Sequence, residues 1–145
     1  MITVRIAEEN DAEALASLCA QLGYPTEVGQ MRERYRRIRS VRAGEIFVAE
    51  RTTDAQVVGW AHVGMRMPLE DEPFAELLGL VVDESVRSGG VGAALLAAAE
   101  AWARGAGFAT MRVRSNVLRE RAHRFYEREG YARIKTSAVF RKSLA

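Results

Sequence analysis

Apolar and polar residues alternate across positions 2–7, the two-residue period of a strand with one buried face. The period then lengthens. Asn10 or Asp11 can cap a helix running to about residue 22, and its apolar stripe holds Leu15, Leu18, Cys19 and Leu22 before Gly23-Tyr24-Pro25 breaks it. Met31, Tyr35 and Ile38, spaced four and three apart, predict a second helix over 26–41. Residues 45–51 and 56–67 read as two strands joined by the polar turn Thr52-Thr53-Asp54. An acidic, proline-bounded loop over 69–73 leads into a strand at 75–82, interrupted by Gly79, where a bulge or a close approach to the backbone is expected. An alanine-rich helix over 91–104 stops at Gly105 and Gly107. A strand at 110–115, a helix at 118–129 ended by Gly130, and a last strand at 137–142 complete the order β-α-α-β-β-β-α-β-α-β. That order predicts an α/β fold, a mixed sheet with helices on both faces, in one domain over 1–145.

Between the strand at 75–82 and the helix at 91–104 lies Val86-Arg87-Ser88-Gly89-Gly90-Val91-Gly92. Glycines lack Cβ, so the backbone can turn tightly and an anion can approach several N–H groups at once. Those groups are the unpaired donors at the start of a helix, where its dipole is positive, and Arg87 adds a full charge. The stretch reads as a phosphate or pyrophosphate site. A phosphate-cradling nucleotide loop would follow its last glycine with Lys and Ser or Thr, where Ala93 and Ala94 stand. A dinucleotide fold would place a small residue at Leu95 and a carboxylate at the end of the next strand, and residues 110–115 carry none.

The remaining pattern, Arg-x-x-Gly-x-Gly at Arg87, Gly90 and Gly92, resembles the signature of the GNAT superfamily of N-acetyltransferases. Leu80-Val81-Val82 resembles that family's central strand, and Asn116 with Ala122, Phe125, Tyr126, Gly130 and Tyr131 its second conserved block. The resemblance implies a mostly antiparallel central sheet, acetyl-CoA as cosubstrate, and no metal. It implies that the loop from Arg87 through Ser88, Gly89, Gly90, Val91 and Gly92 to Ala93 grips the pyrophosphate. The pantetheine arm would add to Leu80, Val81 and Val82 like an extra strand, and Asn116 would hydrogen-bond to it. The acceptor amine would attack the thioester directly, with no covalent enzyme intermediate. The family commonly pairs, which admits a homodimer.

Such a transfer needs a neutral amine and a proton for the departing thiolate. Tyr126 is the candidate acid, since a phenol with a pKa near 10 stays protonated beside a thiolate with one of about 8.5. The alternative is packing: Phe125 would face the core beside Leu118 and Ala122, with Tyr126 turned about 100° away. Asn116 equally suits a helix N-cap. Glu76 is the candidate base, directly or through water, with Glu70, Asp71 and Glu72 nearby. Any of these carboxylates can instead be solvated, and water alone can serve as base.

Lone Cys19 excludes a disulfide framework and fits a small buried hydrophobe in a reducing compartment. His62 and His123 each stand alone, a pattern of packing or solvent exposure rather than metal binding. The charged start of the chain lacks a signal-peptide core, and no apolar run reaches membrane-span length, so a cytoplasmic protein is expected, with no membrane partner. A net charge of only +2, despite a pI near 9.0, gives nucleic-acid binding no support. The arginines of 32–42 fall on the polar side of their helix. The expectation is an N-acetyltransferase acting on a primary amine of a small molecule or peptide. Its rivals are a non-catalytic acyl-CoA-binding regulator and, further off, a nucleic-acid-binding module using the 32–42 face.

Overall fold

The computed structural model describes residues 1–87 and 89–145. They form two compact units, Met1–Val113 and Arg114–Ala145. In the first, the strands β1 (Ile2–Ile6), β2 (Glu45–Arg51), β3 (Val57–Arg66), β4 (Phe74–Val82) and β5 (Met111–Val113) form one sheet in that spatial order. β1 to β4 pair antiparallel and β5 joins β4 in parallel. Parallel neighbours need a long crossover, and α3 (Val91–Gly105) is its helix. The mixed, mostly antiparallel sheet is as expected.

The register defines two faces. Val48, Trp60 and Val81 lie in one row, and Ile46, His62 and Gly79 in the next. This face is covered by α1 (Ala12–Gln21) and α2 (Val28–Val41): Leu15 of α1 and Met31, Tyr35 and Ile38 of α2 pack with Ile46, Val48 and Trp60. The opposite face carries Gly59 and Ala61 and takes α3. Its buried Leu95 and Leu96 stabilise the fold by roughly 1.5–3 kcal/mol each. Gly59 permits that approach, because a Cβ there would lie 3.0 Å from Leu95 Cδ1. Helices thus cover both faces of the sheet within this unit.

The arginines of α2 are largely consumed locally. Arg36 forks onto Glu9 at 2.9 and 2.8 Å, Arg37 pairs with Glu33 at 3.1 Å, and Arg39 pairs with Glu45. Asp11 departs from the expected capping role. It stands at the N-cap of α1 without bonding into it, and its carboxylate instead accepts from the Glu8 amide at 2.7 Å and from both Arg5 Nη atoms at 2.8 and 2.9 Å. Burial pushes its pKa up, but Arg5 and the Glu8 amide outweigh that and hold it below the usual carboxylate range.

The second unit contains α4 (Glu120–Arg128), closed by Gly130 at φ +94°. The strand expected at 137–142 is absent: residues 132–145 form no regular element, and Val139 and Phe140 are 85% and 91% exposed. A strand exists only where its amides meet a partner ladder, so an apolar alternation alone does not make one. The expected packing of Leu118 is corrected as well, since that side chain is 84% exposed.

Candidate functional site

The central feature is an irregularity in β4. Opposite β3, Gly64 pairs with Glu76 and Val63 with Leu77, but His62 pairs with Gly79, leaving Leu78 as the extra residue of a bulge. Side chains alternate along a strand, so one inserted residue exchanges the faces beyond it. The bulge thereby puts Glu76 on the same face as Gly79 and Val81, beside His62 and Trp60. Two glycines make room there. A Cβ on Gly79 would lie 2.7 Å from Trp60 Cζ3, and one on Gly64 would lie 2.9 Å from Leu78 Cδ1. The close approach expected at Gly79 is therefore the Trp60 ring, and the bulge is its neighbour.

β4 also changes partners along its length. β5 pairs with it only at Ala75, Glu76 and Leu77. From Leu78 to Val82, β4 keeps β3 on one side, and among the described residues no strand lies on the other. This open edge includes Leu80, Val81 and Val82, of which Val81 is buried and the other two half-buried. Open main-chain groups are suited to a ligand that adds like a strand.

The open edge runs directly into the glycine loop. Asp83 anchors its start: its amide donates to Val58 O at 2.8 Å, and its carboxylate accepts from the Ser85 amide at 2.9 Å and hydroxyl at 2.8 Å. Those Ser85 bonds hold the Asp83 pKa below the ordinary value. Arg87, Gly89 and Gly90 are exposed. Gly90 is the N-cap of α3 at φ +83°, a left-handed conformation that glycine adopts without the usual steric cost. Among the described residues no side chain caps α3, and its first carbonyl-to-amide bond there is Gly90 O to Ala94 N. The amides of Val91, Gly92 and Ala93 are thus the helix-start donors that anions favour. Ser88 lies outside the described residues.

Glu76 is not a solvated charge. It is only 4% exposed, and Arg66 Nη1 lies 3.7 Å from its Oε2. Asp71, in the exposed loop, accepts from Arg112, whose guanidinium lies 3.8 Å above the Phe74 ring. His62 is half-buried on the Glu76 face, and burial pushes its pKa down, which keeps the imidazole neutral. Sequence reasoning gave Trp60 no role and read His62 as packing or facing solvent; only the bulge puts both on the face that carries Glu76.

In the second unit, burial raises the Tyr126 phenol above its ordinary value, and Arg119 offsets only part of this. Phe125 and Tyr131 meet its ring edge-on at 5.2 and 5.9 Å between centroids. Asn116 is not the N-cap of α4, a position held by Arg119. Its Oδ1 accepts from the Leu118 amide at 2.9 Å, a local turn that leaves its side-chain NH2 as the group able to reach a ligand. His123 holds that turn: Nε2 lies 2.9 Å from Asn116 O, and Arg133 lies 3.1 Å from Nδ1. An arginine can only donate, so Nδ1 accepts and Nε2 carries the proton.

Among the described residues no group of three or more His, Cys, Asp or Glu is placed to hold a metal ion, and no helix is long and apolar enough to cross a membrane.

The model of the acetyltransferase (GNAT) family matches residues 10–131. An aminoglycoside N(6')-acetyltransferase type 1 from Stenotrophomonas maltophilia is 32% identical over 98% of this chain and 94% of its own length. An aminoalkylphosphonate N-acetyltransferase from Salmonella typhimurium is 39% identical over 54% of this chain and 51% of its own. Among solved structures, the aminoglycoside N-acetyltransferase AAC(6')-Iy in complex with CoA is similar in fold, with a TM-score of 0.88 at 20% identity over 98% of this chain and 95% of that one.

Proposed function

We propose, for a chain that belongs to the acetyltransferase (GNAT) family and is an N-acetyltransferase using acetyl-CoA, that it acetylates a primary amine on a small molecule carrying several amines, such as an amino sugar. The observation that carries the cosubstrate part is the open edge of β4 running into the glycine-bounded start of α3. The 32% identity to the aminoglycoside enzyme over nearly the whole chain supports the acceptor class. So does charge: residues 1–113 hold 16 Asp and Glu against 12 Lys and Arg, with Glu70 and Glu72 exposed in the loop before β4. The family match spans both compact units, which supports one functional domain.

In this reading the amides from Gly89 to Ala93, with Arg87 and Ser88, hold the diphosphate. A charge at a helix start contributes up to about 2 kcal/mol, while micromolar affinity requires roughly 8 kcal/mol. The larger share falls to the arm lying along Leu80, Val81 and Val82, and Asn116 supplies a further hydrogen bond. Glu76, with Arg66 Nη1 3.7 Å from its Oε2, takes the amine proton directly or through water. The amine attacks the acetyl carbonyl in a ternary complex, and Tyr126 donates its phenolic proton to the departing thiolate. The enzyme would work in the cytoplasm, as a monomer or homodimer.

The test supplies acetyl-CoA with amino sugars, aminoalkylphosphonates and peptide N-termini and measures free thiol. Amino sugars should turn over fastest, and Tyr126→Phe should lower turnover about 10- to 10⁴-fold. Unchanged turnover removes Tyr126 from the mechanism, and peptide preference overturns the acceptor class. Cofactor binding without turnover of any amine would instead identify a regulator.

A further inference from the structure

A cavity of about 420 Å³ opens where α2 ends and β2 begins, lined by Ile38, Arg39, Arg42, Gly44, Glu45 and Trp102. It is separate from the glycine loop. Trp102 is eleven residues beyond Val91, so about 16 Å of α3 lies between the cavity and the helix start. Its volume falls in the lower part of the range of ligand pockets, roughly 300–1,000 Å³, and leaves room for a single substituted ring with water.

Two of the polar walls are already satisfied. Arg39 donates to Tyr35 Oη at 3.1 Å and Ala7 O at 2.9 Å and pairs with Glu45, which also accepts the Ile46 amide at 3.0 Å. Arg42 differs. It ends α2 at φ +55° and ψ +30°, a left-handed conformation disfavoured for L-residues and normally given to glycine. Among the described residues it has no carboxylate partner. The fold therefore places a costly residue where glycine would suit the backbone better, and that exposed arginine lines the cavity. Strain of that kind concentrates at binding sites. Trp102, another lining residue, carries an indole stacked on Phe108 at 6.0 Å. Gly44 also lines the cavity, and its backbone lies so close to Val63 O that a Cβ would come within 2.2 Å.

We propose that this cavity binds a small aromatic carboxylate, its ring against Trp102 and Ile38 and its carboxylate in the planar fork of Arg42. The site is independent of the acetyl-transfer reading. The test titrates benzoate into the full-length protein, without and then with saturating CoA, and follows tryptophan fluorescence, confirmed by calorimetry. A saturable change is expected; benzamide, with the ring but no charge, and acetate, with the charge but no ring, should bind at least about tenfold more weakly. Arg42→Gly should abolish benzoate binding while leaving the thermal midpoint equal or higher, because it relieves the backbone. Trp102→Phe should weaken binding severalfold in calorimetry. Displacement of benzoate by CoA, no saturable binding, or wild-type affinity in a folded Arg42→Gly variant overturns the proposal.

Discussion

The two halves of β4 belong to one strand and have different surroundings. Ala75 to Leu77 lie between β3 and β5, and with Phe74 before them all four residues are buried, Glu76 included. Leu78 to Val82 have only β3, and of these only Val81 is buried. The bulge at Leu78 marks the change. The paired half can hold a charged group in fixed geometry because both neighbours brace it. The open half offers main-chain donors and acceptors to whatever lies alongside. A strand that loses one neighbour partway thus provides chemistry on one side of a bulge and binding on the other.

If that division is correct, substitutions in the paired half should lower kcat, and those in or just beyond the open half should raise the KM for acetyl-CoA. The largest effect is expected from Glu76→Gln, which should reduce kcat/KM about 10²- to 10⁴-fold near neutral pH. Activity should recover partly at alkaline pH, where the acceptor is already neutral, and a uniform loss at every pH would argue for a structural role. Gly79→Ala should come next, costing about 1–3 kcal/mol in denaturant unfolding because the Trp60 ring must move from a position 2.7 Å away. Gly90→Ala should be milder, adding about 1–2 kcal/mol of left-handed strain at the helix start and raising the KM for acetyl-CoA severalfold with kcat nearly intact. A fall in kcat alone would break the comparison.

The smallest effect concerns His62. Its folded pKa lies below the unfolded value of about 6.5, so the unfolded chain binds the extra proton first on acidification. Stability should be full above that value and decline as pH falls through it, levelling off below the folded pKa. Unfolding measured from pH 7.5 to 5 should show this decline in the native chain and a flatter one in His62→Gln.

Much of this was legible before any tertiary contact was known. β2 begins and ends where its alternation does, and α3 starts at Val91 as the glycine turn predicts. Met31, Tyr35 and Ile38 face the core at their helical spacing. The site was legible where it is local: a glycine loop before a helix is a short-range arrangement, and Gly90 takes the left-handed conformation it requires. What escaped involves partners distant in the chain. Asp11 was read as a cap, but Arg5 bonds its carboxylate. Of the two roles read for Asn116, the cap is corrected, since it closes a turn three residues before the N-cap Arg119. Residues 137–142 have a strand's composition and no strand's pairing.

The amino-acid sequence by itself determined the order of elements, the apolar stripes and the helix-start donors, because these depend on periods of two and 3.6 residues and on what glycine permits. Only the tertiary structure decided that Leu78 is extra, that Glu76 shares a face with Trp60 and His62, and that β4 loses β5 after Leu77. Register is a relation between two strands, and the energy of a bulge is settled by what packs on both faces at once. No local stretch of chain contains that information.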